Sequence, residues 1–234
     1  MHLYSFKTVL KTAECDPRQE IRLSSLMRLT QEAAIHAVED LGYDHTKTFD
    51  RGLLWVIGKQ YFQIARMPRY DEEIEVQTYP GKRLMSFFLR HYRILSTSGE
   101  VLIKGVAVWA LIDKNNRKMI DPSHYGIEVP CDSMEGQIEF PPSYSFKEES
   151  PLEAKIEATY SRCDINGHLN NTFYFDCVQD LIPIDYLKNH ECASINVSYK
   201  KEIPLGESAP IQYGIFDSRC DFESDHFQIR LEYR

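Results

Sequence analysis

An aspartate, an asparagine and a histidine stand at alternate positions in the run Cys163-Asp164-Ile165-Asn166-Gly167-His168-Leu169-Asn170-Asn171. In an extended backbone alternate side chains point the same way, so Asp164, Asn166 and His168 are expected to face one cavity. An imidazole titrates near neutrality and can take a proton from water. An amide N–H, from Asn166 or from the backbone, can polarise a carbonyl oxygen. A carboxylate can orient either of them or attack directly. Together these groups suit hydrolysis of an activated acyl group such as a thioester. Gly167 opposes a continuous helix through the run and permits a positive φ. Asn170 or Asn171 can cap a helix that follows, which sets the polar groups just before a helix N-terminus, where developing negative charge is favoured. The same pattern also reads as an Asx-rich turn that merely caps a helix, with His168 packed beside it.

The elements that must position this run are legible from periodicity. Leu23, Leu26, Met27, Thr30, Ala34, Ala37, Val38 and Leu41 recur at a 3.6-residue period, which predicts an amphipathic helix with Ser24 or Ser25 as its cap and Gly42 as its stop. Strand-like segments follow at 52–66, 72–79, 87–95 and 101–112. Residues 117–150, with Pro122, Pro130, Pro141 and Pro142, lose the periodicity and read as a connector over the surface. The first pattern then returns: a strand at 153–159, a helix over 170–181, and strands at 194–199, 209–216 and 222–233. Cys15-Asp16 leads into the first helix as Cys163-Asp164 leads into the second, with spacings that differ by two residues. The order of elements predicts an α+β protein of two tandem units, 1–130 and 151–234.

Composition narrows the function. A chain of 234 residues with 43% hydrophobic content can bury a large core. The formal net charge of −8 argues against a nucleic-acid partner. Two basic groups, Lys82, Arg83, Arg90 and Arg93 in one and Lys200 and Lys201 in the other, read as solvated surface charge. The six cysteines form no CxxC pair, so no zinc site is expected and the thiols are expected to be reduced and buried. The opening MHLYSFKTVL lacks the basic start and apolar run of a signal peptide. No apolar stretch approaches the ~20 residues of a membrane span. A cytoplasmic setting is therefore expected.

The run from Asp164 to Asn171, followed by Tyr174, resembles the DxNxHxNN…Y signature of the acyl–acyl-carrier-protein thioesterases of plants and bacteria. Leu53-Leu54-Trp55-Val56, Met67-Pro68 and Glu75-Val76-Gln77-Thr78-Tyr79 resemble that family's LIWV, YP and VEVDTW segments, and Gly105-Val106-Ala107-Val108-Trp109 resembles its VW strand. The resemblance implies a double hotdog, two tandem units each a long helix wrapped by an antiparallel sheet. It implies that the first unit holds the acyl chain and the second supplies catalysis. It implies catalytic positions at Asp164, Asn166 and His168, and at Glu202, because Tyr199-Lys200-Lys201-Glu202-Ile203 resembles the family's YRREC. Ile203 stands where the plant enzymes have cysteine, so a Cys–His scheme is not available here. The choice between an orienting and an attacking role for Asp164 stays open. Met27, Thr30 and Ala34 on the helix, with Trp55, Ile57, Phe87 and Phe88 on strands, are candidate linings of the acyl tunnel. The implied partner is an acyl carrier protein bearing a fatty acyl thioester, with acyl-CoA hydrolysis or non-enzymatic acyl binding as alternatives. Neither metal nor organic cofactor is implied, because water is the second reactant. Tandem units fit a monomer or a homodimer.

Overall fold

The computed structural model describes residues 2–134 and 136–234. The periodic stripe at 23–41 becomes α1 (Leu23–Asp40), which buries Leu23, Leu26, Met27, Thr30, Ala33, Ala34 and Ala37. Each large apolar side chain taken out of water there contributes about 1.5–3 kcal/mol. Ser24 and Ser25 do not cap the helix. Both lie buried inside its first turn with unpartnered hydroxyls, and Arg22 holds the N-cap position. Gly42 ends it at φ 83°, a left-handed conformation that costs glycine little.

Five antiparallel strands wrap α1: β1 (Tyr4–Val9), β2 (Leu53–Ile64), β3 (Glu73–Leu84), β4 (Phe87–Ser96) and β5 (Val101–Asp113). The second unit repeats the plan with β6 (Leu152–Glu157), α2 (Phe173–Gln179), α3 (Ile184–Asn189), β7 (Cys192–Tyr199), β8 (Ser208–Phe216), β9 (Arg219–Glu223) and β10 (Phe227–Tyr233). All ten strands form one sheet in the order β1-β3-β4-β5-β2-β7-β10-β9-β8-β6. The order reads the same from either end once each strand is matched with the fifth one after it. β2 and β7 join the halves, Lys59 opposite Ser198 and Gln63 opposite Ser194. The tandem α+β plan expected from the sequence is thus the plan adopted, with α1 packed on β1, β3 and α2.

Two expectations change. The second helix is not long. Asn170 Oδ1 accepts from the backbone N–H and the hydroxyl of Thr172, both at 2.9 Å, in an Asx turn rather than a helical one. At the other end Pro183 disfavours helix at Ile182, and a separate short helix, α3, starts after it. The predicted strand over 222–233 is two strands, with a turn between Glu223 and Phe227. β1 carried no pattern strong enough to be read beforehand.

The proline-rich segment runs along the outer face of the sheet. Asp132 donates its N–H to the Pro80 carbonyl, Phe140 packs under Lys59 and Tyr144 under Arg230. It therefore covers strands of both units.

Candidate active site

The chemistry-bearing run is a tight turn and not the extended stretch that alternation suggested. Asp164 Oδ1 accepts the backbone N–H of Asn166 at 2.8 Å and approaches that of His168 at 3.5 Å. The backbone closes from Asp164 N–H to the His168 carbonyl at 2.9 Å and from Gly167 N–H to the Asp164 carbonyl at 3.0 Å. Gly167 sits at φ 78°, which the turn requires and which explains a glycine there. The three residues share this turn and border one cavity through the turn geometry, not through the period-two alternation of an extended strand.

Glu202 arrives from the chain leaving β7. Lys200 and Lys201 donate their N–H groups to the His226 carbonyl. The next residues lie beside the turn: Leu169 donates to the Ile203 carbonyl at 2.9 Å and Leu205 to the Gly167 carbonyl at 2.9 Å. Ile203 is fully buried and anchors the pairing. Glu202 Oε2 then stands 3.6 Å from His168 Nε2 and 2.9 Å from an Nη of Arg117. Arg117 comes from the first unit, just past β5, so the carboxylate is held between the two halves. Nothing in the local sequence marks Arg117, because only the tertiary fold carries it to Glu202.

Two polar atoms of the turn, Asn166 Oδ1 and His168 Nδ1, are buried without a partner among the described residues. Each such atom costs about 1–3 kcal/mol, a cost folds bear where another molecule is to be bound. Tyr199 fixes the floor: its hydroxyl lies 3.3 Å from both Gln60 Oε1 and the Asn171 carbonyl, and Tyr174 packs edge-on against its ring at 5.8 Å. Burial pushes the phenols of Tyr174 and Tyr199 well above their ordinary range, so both stay neutral hydrogen-bonding groups.

Asp164, Asn166, His168 and Glu202 all border one cavity of about 1200 Å³, which extends into the first unit. Ala34, Trp55, Ile57 and Phe88 line it as expected. Met27, Thr30 and Phe87 do not. Met27 and Thr30 lie on the half of α1 buried in the core, where the Thr30 hydroxyl satisfies itself on the Leu26 and Met27 carbonyls. The cavity instead follows the later turns of α1, at Gln31, Ala34, Ile35 and Val38. Phe87 points to the opposite side of β4 from Phe88, as adjacent strand residues must. The expectation of solvated charge fails for Arg90, which is 5% exposed.

This arrangement can bind an apolar chain in the first unit and present its polar end to an imidazole, an amide and two carboxylates in the second. The acyl-ACP thioesterase N-terminal domain matches residues 2–123 and the acyl-ACP thioesterase C-terminal domain matches residues 145–232. A chloroplastic palmitoyl-acyl carrier protein thioesterase of Cuphea hookeriana is 21% identical over 210 residues, 82% of this chain and 50% of that one. The chain spans about half the length of the curated relatives it matches. An acyl-ACP thioesterase from Bacteroides thetaiotaomicron shares the fold at a TM-score of 0.86 and 20% identity, covering 100% of this chain and 98% of that one. A 12:0-ACP thioesterase from Umbellularia californica does so at 0.82 and 16% identity, again covering 100% and 98%. With both family domains matched in chain order over most of its length, the chain belongs to the acyl-ACP thioesterase family.

Proposed function

We propose that the chain hydrolyses fatty acyl thioesters carried on acyl carrier protein, releasing the free fatty acid and the carrier's thiol. The observation that carries this reading is the approach of His168 Nε2 to Glu202 Oε2, 3.6 Å apart, at the wall of a cavity lined by apolar side chains of the first unit. In this reading His168, backed by Glu202, takes a proton from water as the water oxygen bonds to the thioester carbonyl carbon. The side-chain amide of Asn166 polarises the carbonyl oxygen. The C–S bond then breaks, and the proton passes to the leaving sulfur. Asp164 is a positioning residue that holds the turn, with its charge facing the cavity in which the imidazolium forms. Arg117 keeps Glu202 aimed.

The first unit is the acyl-binding half and the second the catalytic half. Lys201 is exposed near the cavity and suits an acidic carrier, whereas Lys200 is engaged by Glu223 and the Ser224 carbonyl. Among the described residues no helix is long and apolar enough to cross a membrane. A cytoplasmic site of action accords with the six free cysteines, which stay reduced there.

The test is release of free thiol from a series of acyl chains on acyl carrier protein, each repeated on CoA. Faster release from the carrier protein supports the proposal. Faster release from CoA moves the substrate to acyl-CoA. Tight acyl binding with no thiol release rejects hydrolysis altogether and leaves an acyl-binding module.

A further inference from the structure

The cavity wall in the first unit contains a charge that meets no counter-charge among the described residues. Arg90 stands on β4, on the same face as Phe88 and Tyr92, and borders the cavity at 5% exposure. Its one side-chain hydrogen bond among the described residues runs from Nη1 to Thr78 Oγ1 at 3.3 Å. No carboxylate among the described residues forms an ion pair with it. A guanidinium offers five N–H donors and keeps its charge. Burying such a group without a counter-charge costs several kcal/mol, so proteins rarely do it without a use.

Two other atoms on the same wall share the condition. Gln31 Oε1 on α1 and Trp55 Nε1 on β2 are buried and unpartnered, and both residues border the cavity. A plain hydrocarbon chain satisfies none of the three. The strand registers place Arg90 well away from the strand that leads to Glu202: Arg90 lies opposite Ala107, Ala107 opposite Gln60, and Gln60 opposite Val197. That row spans three strand spacings, about 14 Å across the sheet from the strand that leads to Glu202.

We propose that this wall is a recognition site for an oxygen function carried by the acyl chain remote from its thioester, with Arg90 as the principal donor. Carboxylate is the best match, because it neutralises the guanidinium and takes two of its N–H groups. A hydroxyl or oxo group is the weaker match. The inference rests on the thioesterase reading for its substrate class but not for its binding chemistry.

The experiment compares thiol release by the full chain from three acyl carrier protein thioesters: lauroyl, its ω-hydroxy derivative and its ω-carboxy derivative. The wild type is expected to favour the oxygen-bearing chains in kcat/KM by about tenfold or more, because a site built to hydrogen-bond rejects an analogue that lacks the group. Arg90→Met, which keeps an unbranched apolar stem and loses the charge, is expected to reverse that order. Equal or better turnover of plain lauroyl, with the same ratio in Arg90→Met, overturns the proposal. If the variant fails to fold, the wild-type ratio decides alone. If the wild type hydrolyses none of the three, the thioesterase reading fails and the inference is judged by binding. Trp55 and Trp109, the two tryptophans of the chain, both border the cavity and report occupancy by fluorescence. Tighter binding of the monomethyl ester of the ω-carboxy acid than of methyl laurate, lost in Arg90→Met, sustains the site. Equal binding of the two esters rejects it.

Discussion

The molecule builds the same turn twice. Cys15 to Ile21 in the first unit and Cys163 to Leu169 in the second are each 148 residues apart, position by position. In both, the ends pair as an isolated antiparallel bridge, Cys15 with Ile21 and Cys163 with Leu169. Asp16 N–H donates to the Glu20 carbonyl at 2.7 Å, as Asp164 N–H does to that of His168 at 2.9 Å. Asp16 Oδ1 accepts N–H groups two and four residues on, at 2.8 and 3.1 Å, in the manner of Asp164. Gln19 takes the positive φ, 63°, that Gly167 takes in the second copy.

What differs is the use of the side chains. In the first turn the charged side chains have work inside the fold. Arg18 donates to the Leu187 and His190 carbonyls at 2.9 Å each, tying the turn to α3, and Glu20 pairs with Arg18 and Arg69. In the second turn Asn166 Oδ1 and His168 Nδ1 are left without partners, and His168 faces a carboxylate across 3.6 Å. The first copy is a staple, and the second presents unpartnered polar atoms at a cavity. The backbone alone therefore confers no chemistry; unsatisfied polar atoms facing a cavity do.

The largest effect that tests this contrast is at the sixth turn position, Glu20 in one copy and His168 in the other. His168→Ala is expected to cut kcat by about 10²- to 10⁴-fold with the melting temperature unchanged. Glu20→Ala should leave kcat intact and lower stability by about 1 kcal/mol. Steady-state rates beside thermal melts read both, and a His168→Ala enzyme with full turnover would remove the turn from the chemistry.

The paired aspartates sharpen the comparison. Asparagine keeps the Oδ1 acceptor, so Asp16→Asn and Asp164→Asn should each preserve the turn. Only Asp164 borders the cavity, so only its variant is expected to lose turnover, by about tenfold or more, through loss of the negative charge near the forming imidazolium. Equal turnover in the two variants would assign Asp164 a purely structural role.

A further contrast lies on the outer face beneath the connector. In the second unit the buried Asp221 is satisfied by two bonds from Arg230, at 2.6 and 2.7 Å. In the first unit His91 stacks on Tyr79 with its Nδ1 unpartnered, and burial pushes its pKa down to about 4. The unfolded chain takes a proton at His91 below about pH 6.5, whereas the folded chain does so only near 4. Stability is therefore expected to fall as the pH drops through that interval, by up to about 3 kcal/mol. Thermal melts across the interval should show a shallower fall for His91→Phe; identical slopes would mean that His91 does not carry the acid sensitivity.

The smallest effect concerns φ. Gln19→Gly should stabilise the first turn, and Gly167→Ala destabilise the second, each by about 1 kcal/mol, since only glycine enters the left-handed region freely. Chemical denaturation resolves shifts of that size, and no change in either variant would deny that the positive φ costs anything.

Much of the fold was legible because its causes are local. The stripe from Leu23 to Ala37 specifies α1, and period-two burial at Phe227, Ile229, Leu231 and Tyr233 specifies β10. Asp164 and Gly167 specify their turn within four residues, which is why the site's centre was readable. The errors came from the same short range. A helical pattern over 170–181 does not reveal that Asn170 is occupied by Thr172, and Arg90 carries no sign of burial in its neighbours along the chain.

The amino-acid order thus determined by itself the tandem α+β plan and the grouping of Asp164, Asn166 and His168, through propensities and hydrogen bonds that act within a few residues. Only the tertiary structure decided that Glu202 meets His168 and Arg117, that the cavity follows the later turns of α1, and that Arg90 is buried on its wall. Those outcomes depend on packing between segments tens of residues apart, where side-chain volume and strand register, and not local preference, select the partner.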